Sequence, residues 1–292
     1  MISIWNNFIG HEVKQSFYQA GNIRTRAIET GQGEPLIFLH GTGGHAEAYA
    51  RNIIAHAEYF HVYSIDMIGH GFTDKPENIV YNLDTYVQHL RDFVEAIGAT
   101  KINISGESLG GQVAIMFAYK YPDLVNRIVI NTGMIAPRSE QGMKELNDML
   151  TRAKGAATTM SREAVKKRLE WLMYDPNDVT EELIELRHHI YNQPGAAQIM
   201  YKITEGVISN ESTDRDNSFL SEIKTEALIF WSNHNPGASW EEAQVHAQKF
   251  PNQKFYLMEQ DAAHWPQWEN PEEFNKIHID FLRFGIKSEI LG

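Results

Sequence analysis

The chain has 292 residues, 42% hydrophobic and 22% charged, with a formal net charge of −12 and no cysteine. Without cysteine there is no thiol catalysis, disulfide or thiolate-ligated zinc, and the negative charge argues against nucleic acid or an anionic membrane as partner. No run approaches the ~18 apolar residues of a membrane span, and MISIWNNFIGHEV has no basic stretch leading into an apolar one, so a soluble cytoplasmic protein without a signal peptide is expected.

Two short strands, roughly Val13–Gln19 and Ile23–Glu29, are expected around the turn Ala20-Gly21-Asn22. Pro35–His40 (PLIFLH) is a continuous apolar run, as in a strand covered on both faces. It opens into Gly41-Thr42-Gly43-Gly44, after which a helix is expected through Ala55. Phe60–Ile65 reads as the next strand, ending at Asp66 and the turn Gly69-His70-Gly71. Asn82–Ile97 reads as a helix, because Leu83, Val87, Leu90, Val94 and Ile97 share one face.

Lys101–Ser105 reads as a short buried strand and Leu109 onward as a helix, with Val113, Met116, Phe117 and Lys120 at helical spacing. Between them lies Gly106-Glu107-Ser108-Leu109-Gly110, a match to G-x-S-x-G. A serine on a sharp strand-to-helix turn is pushed clear of the sheet, at the positive end of a helix where an oxyanion is stabilised. The bare pentapeptide recurs by chance; its strand–turn–helix setting makes Ser108 a candidate nucleophile rather than a plain turn residue. After the strand Arg127–Asn131, the alternation from Pro35 to Thr132 implies a parallel sheet with right-handed crossovers.

Past Thr132 the pattern becomes helical: Gln141–Ala153, Arg162–Met173, Thr180–Tyr191 and Ala196–Ile208. The sheet pattern resumes at Ala227–Trp231, followed by a helix Ser239–Lys249, a strand Lys254–Met258 and a closing helix Pro271–Phe284. The chain therefore divides into an α/β core, 1–134 with 218–292, and an inserted helical cap, 135–217. The frequent Met, Trp and Tyr of the insertion suit packing between short helices and equally the apolar underside of a lid.

A serine nucleophile needs a base, a group that orients the base, and donors for the oxyanion. His264, in the loop after the last strand and downstream of the serine, is the candidate base; a lone histidine is otherwise an ordinary surface residue. The backbone N–H groups of Thr42 and Leu109 are the candidate oxyanion donors. The acid is missing: the loop after Ala227–Trp231 reads Ser232-Asn233-His234-Asn235-Pro236 and holds no carboxylate.

Taken together, His40-Gly41-Thr42-Gly43-Gly44, Asp66-Met67-Ile68-Gly69-His70-Gly71, Gly106–Gly111 and His264-Trp265-Pro266-Gln267-Trp268-Glu269 resemble the α/β-hydrolases, and within them the meta-cleavage-product hydrolases. The resemblance covers nearly the whole chain. It implies an α/β-hydrolase fold, a mostly parallel sheet flanked by helices with an inserted cap. It also implies cofactor-free and metal-free hydrolysis of a carbon–carbon bond in a small-molecule ring-fission product of aromatic catabolism. Val179-Thr180-Glu181-Glu182-Leu183 leading to Arg187 resembles the segment whose arginine holds the substrate carboxylate; the bland alternative for Arg187 is a solvated or ion-paired helix charge. Trp265, Gly41, Gly43 and Glu107 fall where substrate is lined, and self-association as a homo-oligomer is left open.

Two departures stand out. Glu107 precedes the nucleophile where many such hydrolases carry Asn. More consequentially, the family's acid position falls on Asn235, whose amide can hold the histidine tautomer but cannot stabilise an imidazolium as a carboxylate does. In serine proteases that change costs roughly 10⁴ in kcat. Three explanations follow: a variant that traps a complex, a substitute carboxylate such as Asp261, or a reaction that tolerates a weaker base. On this footing Asn235→Asp is expected to raise turnover. The competing functions are a carboxylesterase acting on a small ester, and a catalytically impaired ligand-binding homologue.

A dinucleotide reading of Gly41-x-Gly43-x-x-Ala46 with Asp66 is set aside because His40 and the flanking strands suit the hydrolase better. His188 and His189 are adjacent on a helix and do not share a metal.

Overall fold

The computed structural model describes residues 3–133, 140, 142–144, 147–148, 151, 160–211, 217–259 and 261–291. Among these, eight strands form one sheet: β1 (Lys14–Ala20), β2 (Ile23–Thr30), β3 (Pro35–Leu39), β4 (His61–Ile65), β5 (Ile102–Glu107), β6 (Val125–Asn131), β7 (Glu226–Ser232) and β8 (Gln253–Met258). Their order is β1-β2-β4-β3-β5-β6-β7-β8. The pairs β1–β2 and β2–β4 are antiparallel, and the remaining pairs are parallel.

Each central strand feeds two cores, which is why its sequence shows no polar alternation. Ile37 and Leu39 of β3 face one apolar cluster, and Leu36 and Phe38 face the other. The first cluster is closed by α2 (Leu83–Ala96), α3 (Leu109–Lys120) and α7 (Trp240–Ala247). The second is closed by α1 (Ile53–Ala57) and α9 (Pro271–Phe284), the latter preceded by the short α8 (Pro266–Glu269). The single helix expected after Gly44 is instead a 3-10 turn, Ala46–Tyr49, followed by α1. All four residues of that turn are buried, and Tyr49 stacks on Phe38 at 4.4 Å, so close packing on the sheet replaces a free-running helix.

Between β6 and β7 the described residues form α4 (Arg162–Leu172), α5 (Glu181–Tyr191) and α6 (Ala196–Glu211). Ser161 and Thr180 cap the first two by accepting the N–H groups of Ala164 and Leu183. The expected helix Gln141–Ala153 and the expected boundary at 134/135 lie largely outside the described residues. These helices are tied to the sheet end: Tyr191 donates to the Gly43 carbonyl at 2.8 Å, and Ile199, Ile203 and Val207 join the core beneath α2. Among the described residues no helix is long and apolar enough to cross a membrane.

Strand order places the site. From β3 the chain crosses to β4 on one side, while β5 lies on the other. The crevice opens at the carboxyl ends of strands where such crossovers diverge. Gly41–Gly44 leave β3 there, and Ser108 leaves β5 there.

Candidate active site

Ser108 sits between β5 and α3 with φ 53° and ψ −113°, a conformation that costs an L-residue about 1–3 kcal/mol. The surroundings enforce it: the Ser108 N–H donates to the Asn131 carbonyl at 3.1 Å, and the Ser108 carbonyl accepts from Gly111 and Gln112. The flanking glycines are sterically required. A Cβ on Gly106 would lie 2.1 Å from the Gly110 carbonyl, and one on Gly110 would lie 2.3 Å from the Leu39 carbonyl. Among the described residues the Ser108 hydroxyl has no hydrogen-bond partner, and the N–H groups of Leu109 and Thr42 make no backbone bond. The Thr42 hydroxyl is likewise buried and unpartnered.

His264 is 5% exposed and reaches the same crevice from the loop after β8. Its backbone is fixed on both sides: the N–H donates to the Leu172 carbonyl at 2.9 Å, and its carbonyl accepts the Thr132 hydroxyl at 2.9 Å. Nδ1 lies 2.8 Å from Oδ1 of Asn235. The Gly237 N–H points at that same Oδ1, at 3.3 Å, and a backbone N–H can only donate. The atom is therefore the amide oxygen, and Nδ1 carries the proton. Asn235 holds the tautomer that the missing acid would hold. Asp261, the substitute considered from sequence, is exposed at φ 46°, and Asn235 occupies the ring nitrogen it would need.

Glu107 is the unexpected neighbour. Because β5 runs past Ser105 to Glu107, its carboxylate enters the crevice, 2% exposed. Oε2 accepts the Gly41 N–H at 2.5 Å, and Oε1 lies 3.1 Å from Nε2 of His264. The ring nitrogen that would face Ser108 is thus turned to a carboxylate. Beneath it, His40 braces the loop by bonding the Gly41 carbonyl through Nδ1 and accepting the Met67 N–H at Nε2; burial pushes it down to about 3 and keeps it neutral.

A narrow crevice, with a cavity volume of only about 20 Å³, is lined by Gly41, Thr42, Glu107, Ser108, Arg187 and Trp265, among others. Gly44 lines it, while Gly43 turns away, its carbonyl held by Tyr191. Arg187 is not a solvated helix charge. It is 1% exposed, its Nε and one terminal nitrogen have no partner among the described residues, and its guanidinium lies 5.0 Å over the Trp265 ring. A larger open cleft among His11, Glu12, Lys14, Glu29 and His61 lies at the amino end of β4, away from Ser108.

Three residues that position His264 were not among the candidate site residues; of them only Glu269 lay in a block that carries the family resemblance. Thr132, at φ 43° just past β6, holds the His264 carbonyl, and Ser232 holds that of Ala263. Glu269 accepts the N–H groups of Ala263, Trp265 and Tyr174, clamping the His264 loop to the chain after α4. Burial pushes its carboxyl up to about 7 against those three bonds. Asp66, set aside as a ribose partner, is consumed by Arg26 and by the N–H groups of Ala46 and Phe72.

A family model described as the alpha/beta hydrolase fold matches residues 34–271. A 2-hydroxy-6-oxononadienedioate/2-hydroxy-6-oxononatrienedioate hydrolase of Paraburkholderia phymatum is 28% identical, over 89% of this chain and 91% of its own. A 2-hydroxy-6-oxo-2,4-heptadienoate hydrolase of Pseudomonas putida is 27% identical over 90% and 94%. Among solved structures, a variant of the meta-cleavage product hydrolase CumD superposes with a TM-score of 0.80 at 26% identity, covering 92% of this chain and 98% of its own.

Proposed function

The chain belongs to the alpha/beta hydrolase fold family, and on that basis we propose that it is a serine hydrolase cleaving a carbon–carbon bond in a 2-hydroxy-6-oxo-dienoate, a ring-fission product of aromatic catabolism. The observation that carries this reading is Arg187. A guanidinium buried without a counter-charge costs several kcal/mol unless something else pairs it. Its position in the cavity beside Ser108, against Trp265, is that of a receptor for a substrate carboxylate.

In this reading Ser108 is the nucleophile, His264 moves its proton, and Asn235 orients His264. The N–H groups of Thr42 and Leu109 receive the oxyanion, since both are unspent. His264 first delivers a proton to a carbon of the dienolate, giving the ketone. Oγ of Ser108 then bonds to the carbonyl carbon while its proton passes to Nε2. The carbon–carbon bond breaks, the leaving carbanion takes the proton from Nε2, and water releases the acyl group. The helices within 135–217 act as a cap over a core made of 1–134 and 218–292, and Trp265 and Gly41 line the substrate.

A paired assay tests the reading: a ring-fission dienoate, followed by loss of its absorbance, beside a nitrophenyl ester. Turnover of the dienoate by the unaltered chain and its loss in Ser108→Ala is the expected result. Hydrolysis of the ester alone would make the protein an esterase and end the carbon–carbon proposal.

A further inference from the structure

The charge that Asn235 cannot supply is present on the other side of the ring. Nδ1 of His264 carries a proton, because the oxygen it meets also accepts the Gly237 N–H. A neutral ring with that proton would present a lone pair at Nε2. Yet Nε2 lies 3.1 Å from Oε1 of Glu107, and a lone pair does not face a carboxylate oxygen at that distance without a proton between them. The carboxylate is not free to turn away. Its second oxygen is held by the Gly41 N–H at 2.5 Å, and the whole side chain is buried.

We propose that Glu107 is the counter-charge of His264, holding a proton on Nε2 in the resting protein and taking the part of the missing triad acid from the opposite face of the ring. The charged and titratable groups around the pair are few. Arg187 of α5 and Arg168 of α4 line the same cavity. Tyr49 lies beneath Glu107, its hydroxyl pushed well above the usual range by burial and then by that carboxylate. Glu269 accepts backbone N–H groups on either side of His264 and that of Tyr174. Both cations disfavour an imidazolium, so among the described residues the one anion in contact with the ring must balance it.

The mechanistic part rests on the reading above. The proton shared by Nε2 and Oε1 is the one delivered to the dienolate carbon, which leaves Nε2 with a lone pair. That lone pair then receives the proton of Ser108 as Oγ bonds to the carbonyl carbon, and Glu107 again balances the imidazolium that results. Glu107 therefore acts through His264 as a positioning residue. The proposal also reverses the expectation drawn from the sequence, in which Asn235→Asp restores a lost charge.

The test uses the full chain labelled with ¹⁵N-histidine, and its first readout needs no substrate. The His264 ring nitrogens, assigned by their loss in His264→Gln, are expected to give protonated-type shifts at both Nδ1 and Nε2 at pH 7. In Glu107→Gln the Nε2 signal moves to the unprotonated type. An unprotonated Nε2 in the unaltered chain, or no change in Glu107→Gln, overturns the proposal whatever the substrate proves to be. Should Glu107→Gln fail to fold, the unaltered spectrum still decides.

The second readout is turnover of the dienoate, or of the ester if only that is cleaved. Glu107→Gln is expected to lower kcat about 100-fold, and Asn235→Asp alone to change it less than about threefold. The double variant should regain at least tenfold over Glu107→Gln, because the charge is restored on the Nδ1 side; such non-additivity marks two residues sharing one task. A kcat that is unchanged or raised in Glu107→Gln, a large gain in Asn235→Asp alone, or no regain in the double variant counts against the pair. Failure to cleave the dienoate counts only against the substrate.

Discussion

Two buried arginines show how the same side chain serves different ends. Arg26 on β2 is 2% exposed and fully spent: it bonds Glu47, Asp66 and Gln15, and Asp66 in turn accepts the N–H groups of Ala46 and Phe72. Burial alone would raise the carboxyl of Glu47, but His45 and Arg26 outweigh it and hold it well below the usual range. Arg187 is as deeply buried, yet two of its nitrogens have no partner among the described residues and its visible companion is the face of Trp265. A buried charge with its hydrogen bonds complete holds chain segments together; in the proposed function, the one left open at the crevice receives the substrate carboxylate. Removal should expose the first as a loss of stability and the second as a loss of function.

The largest effect sharpens the functional side. Ser108→Ala is expected to reduce turnover by at least ~10⁴-fold with the melting temperature held or raised, since the strained backbone is set by its neighbours and the hydroxyl has no partner to lose. Turnover and melting measured on one preparation check this, and retention of a tenth of the activity would place the nucleophile elsewhere. Arg26→Met sharpens the structural side. It strands Glu47 and Asp66 and is expected to cost about 3–5 kcal/mol by denaturant unfolding, with kcat per folded molecule nearly unchanged. A stability loss under 1 kcal/mol would break the contrast.

Acid probes the sealed interior more gently. Burial lowers His56 to about 4, and His89 to about 3, and drives His278 down as well. His56 and His278 meet at 2.9 Å, and His278 bonds the Ser105 hydroxyl at 2.8 Å. An unfolded histidine takes its proton near ~6.5. Between there and about 4 the unfolded chain holds protons that the folded chain does not. Stability is therefore present above that window and lost as pH falls through it. For His56 alone the shift amounts to roughly 3 kcal/mol, to be read from urea midpoints between pH 7 and pH 4. A flat midpoint would mean these rings are not sealed from protons.

The smallest effect is the most diagnostic. Arg187→Met is expected to raise KM about 10- to 100-fold, the worth of a charge-assisted bond to a carboxylate, while stability holds or improves because an open buried charge is gone. Substrate-saturation curves and melts on the same variant decide it. A destabilised protein with unaltered KM would make Arg187 a second Arg26.

The sequence by itself determined most of the scaffold. Continuous apolar runs in β3 and β7 and the helical spacing in α2 are local signals, read correctly because burial on one or both faces acts within a few residues. Gly106, Ser108 and Gly110 are of the same kind, since the elbow's steric demands lie within one turn. The order of Ser108 and His264 could also be read, as it follows from chain direction in an alternating α/β pattern.

Only the tertiary structure decided what those residues meet. Asp261 is three residues from His264, yet Asn235, contributed by a different strand end, holds its ring. Thr132, Ser232 and Glu269 position His264 through bonds to backbone groups, and such bonds cannot be read from residue type. Arg187 could have been one more charge on a polar helix face until packing over Trp265 buried it. Glu107 was read as lining the substrate; that β5 runs long enough to bring its carboxylate to Nε2 of His264 could not be read from the chain. Electrostatics act across space rather than along the chain, so the absence of a carboxylate at position 235 was legible, and the carboxylate facing His264 became visible only when the strands were brought together.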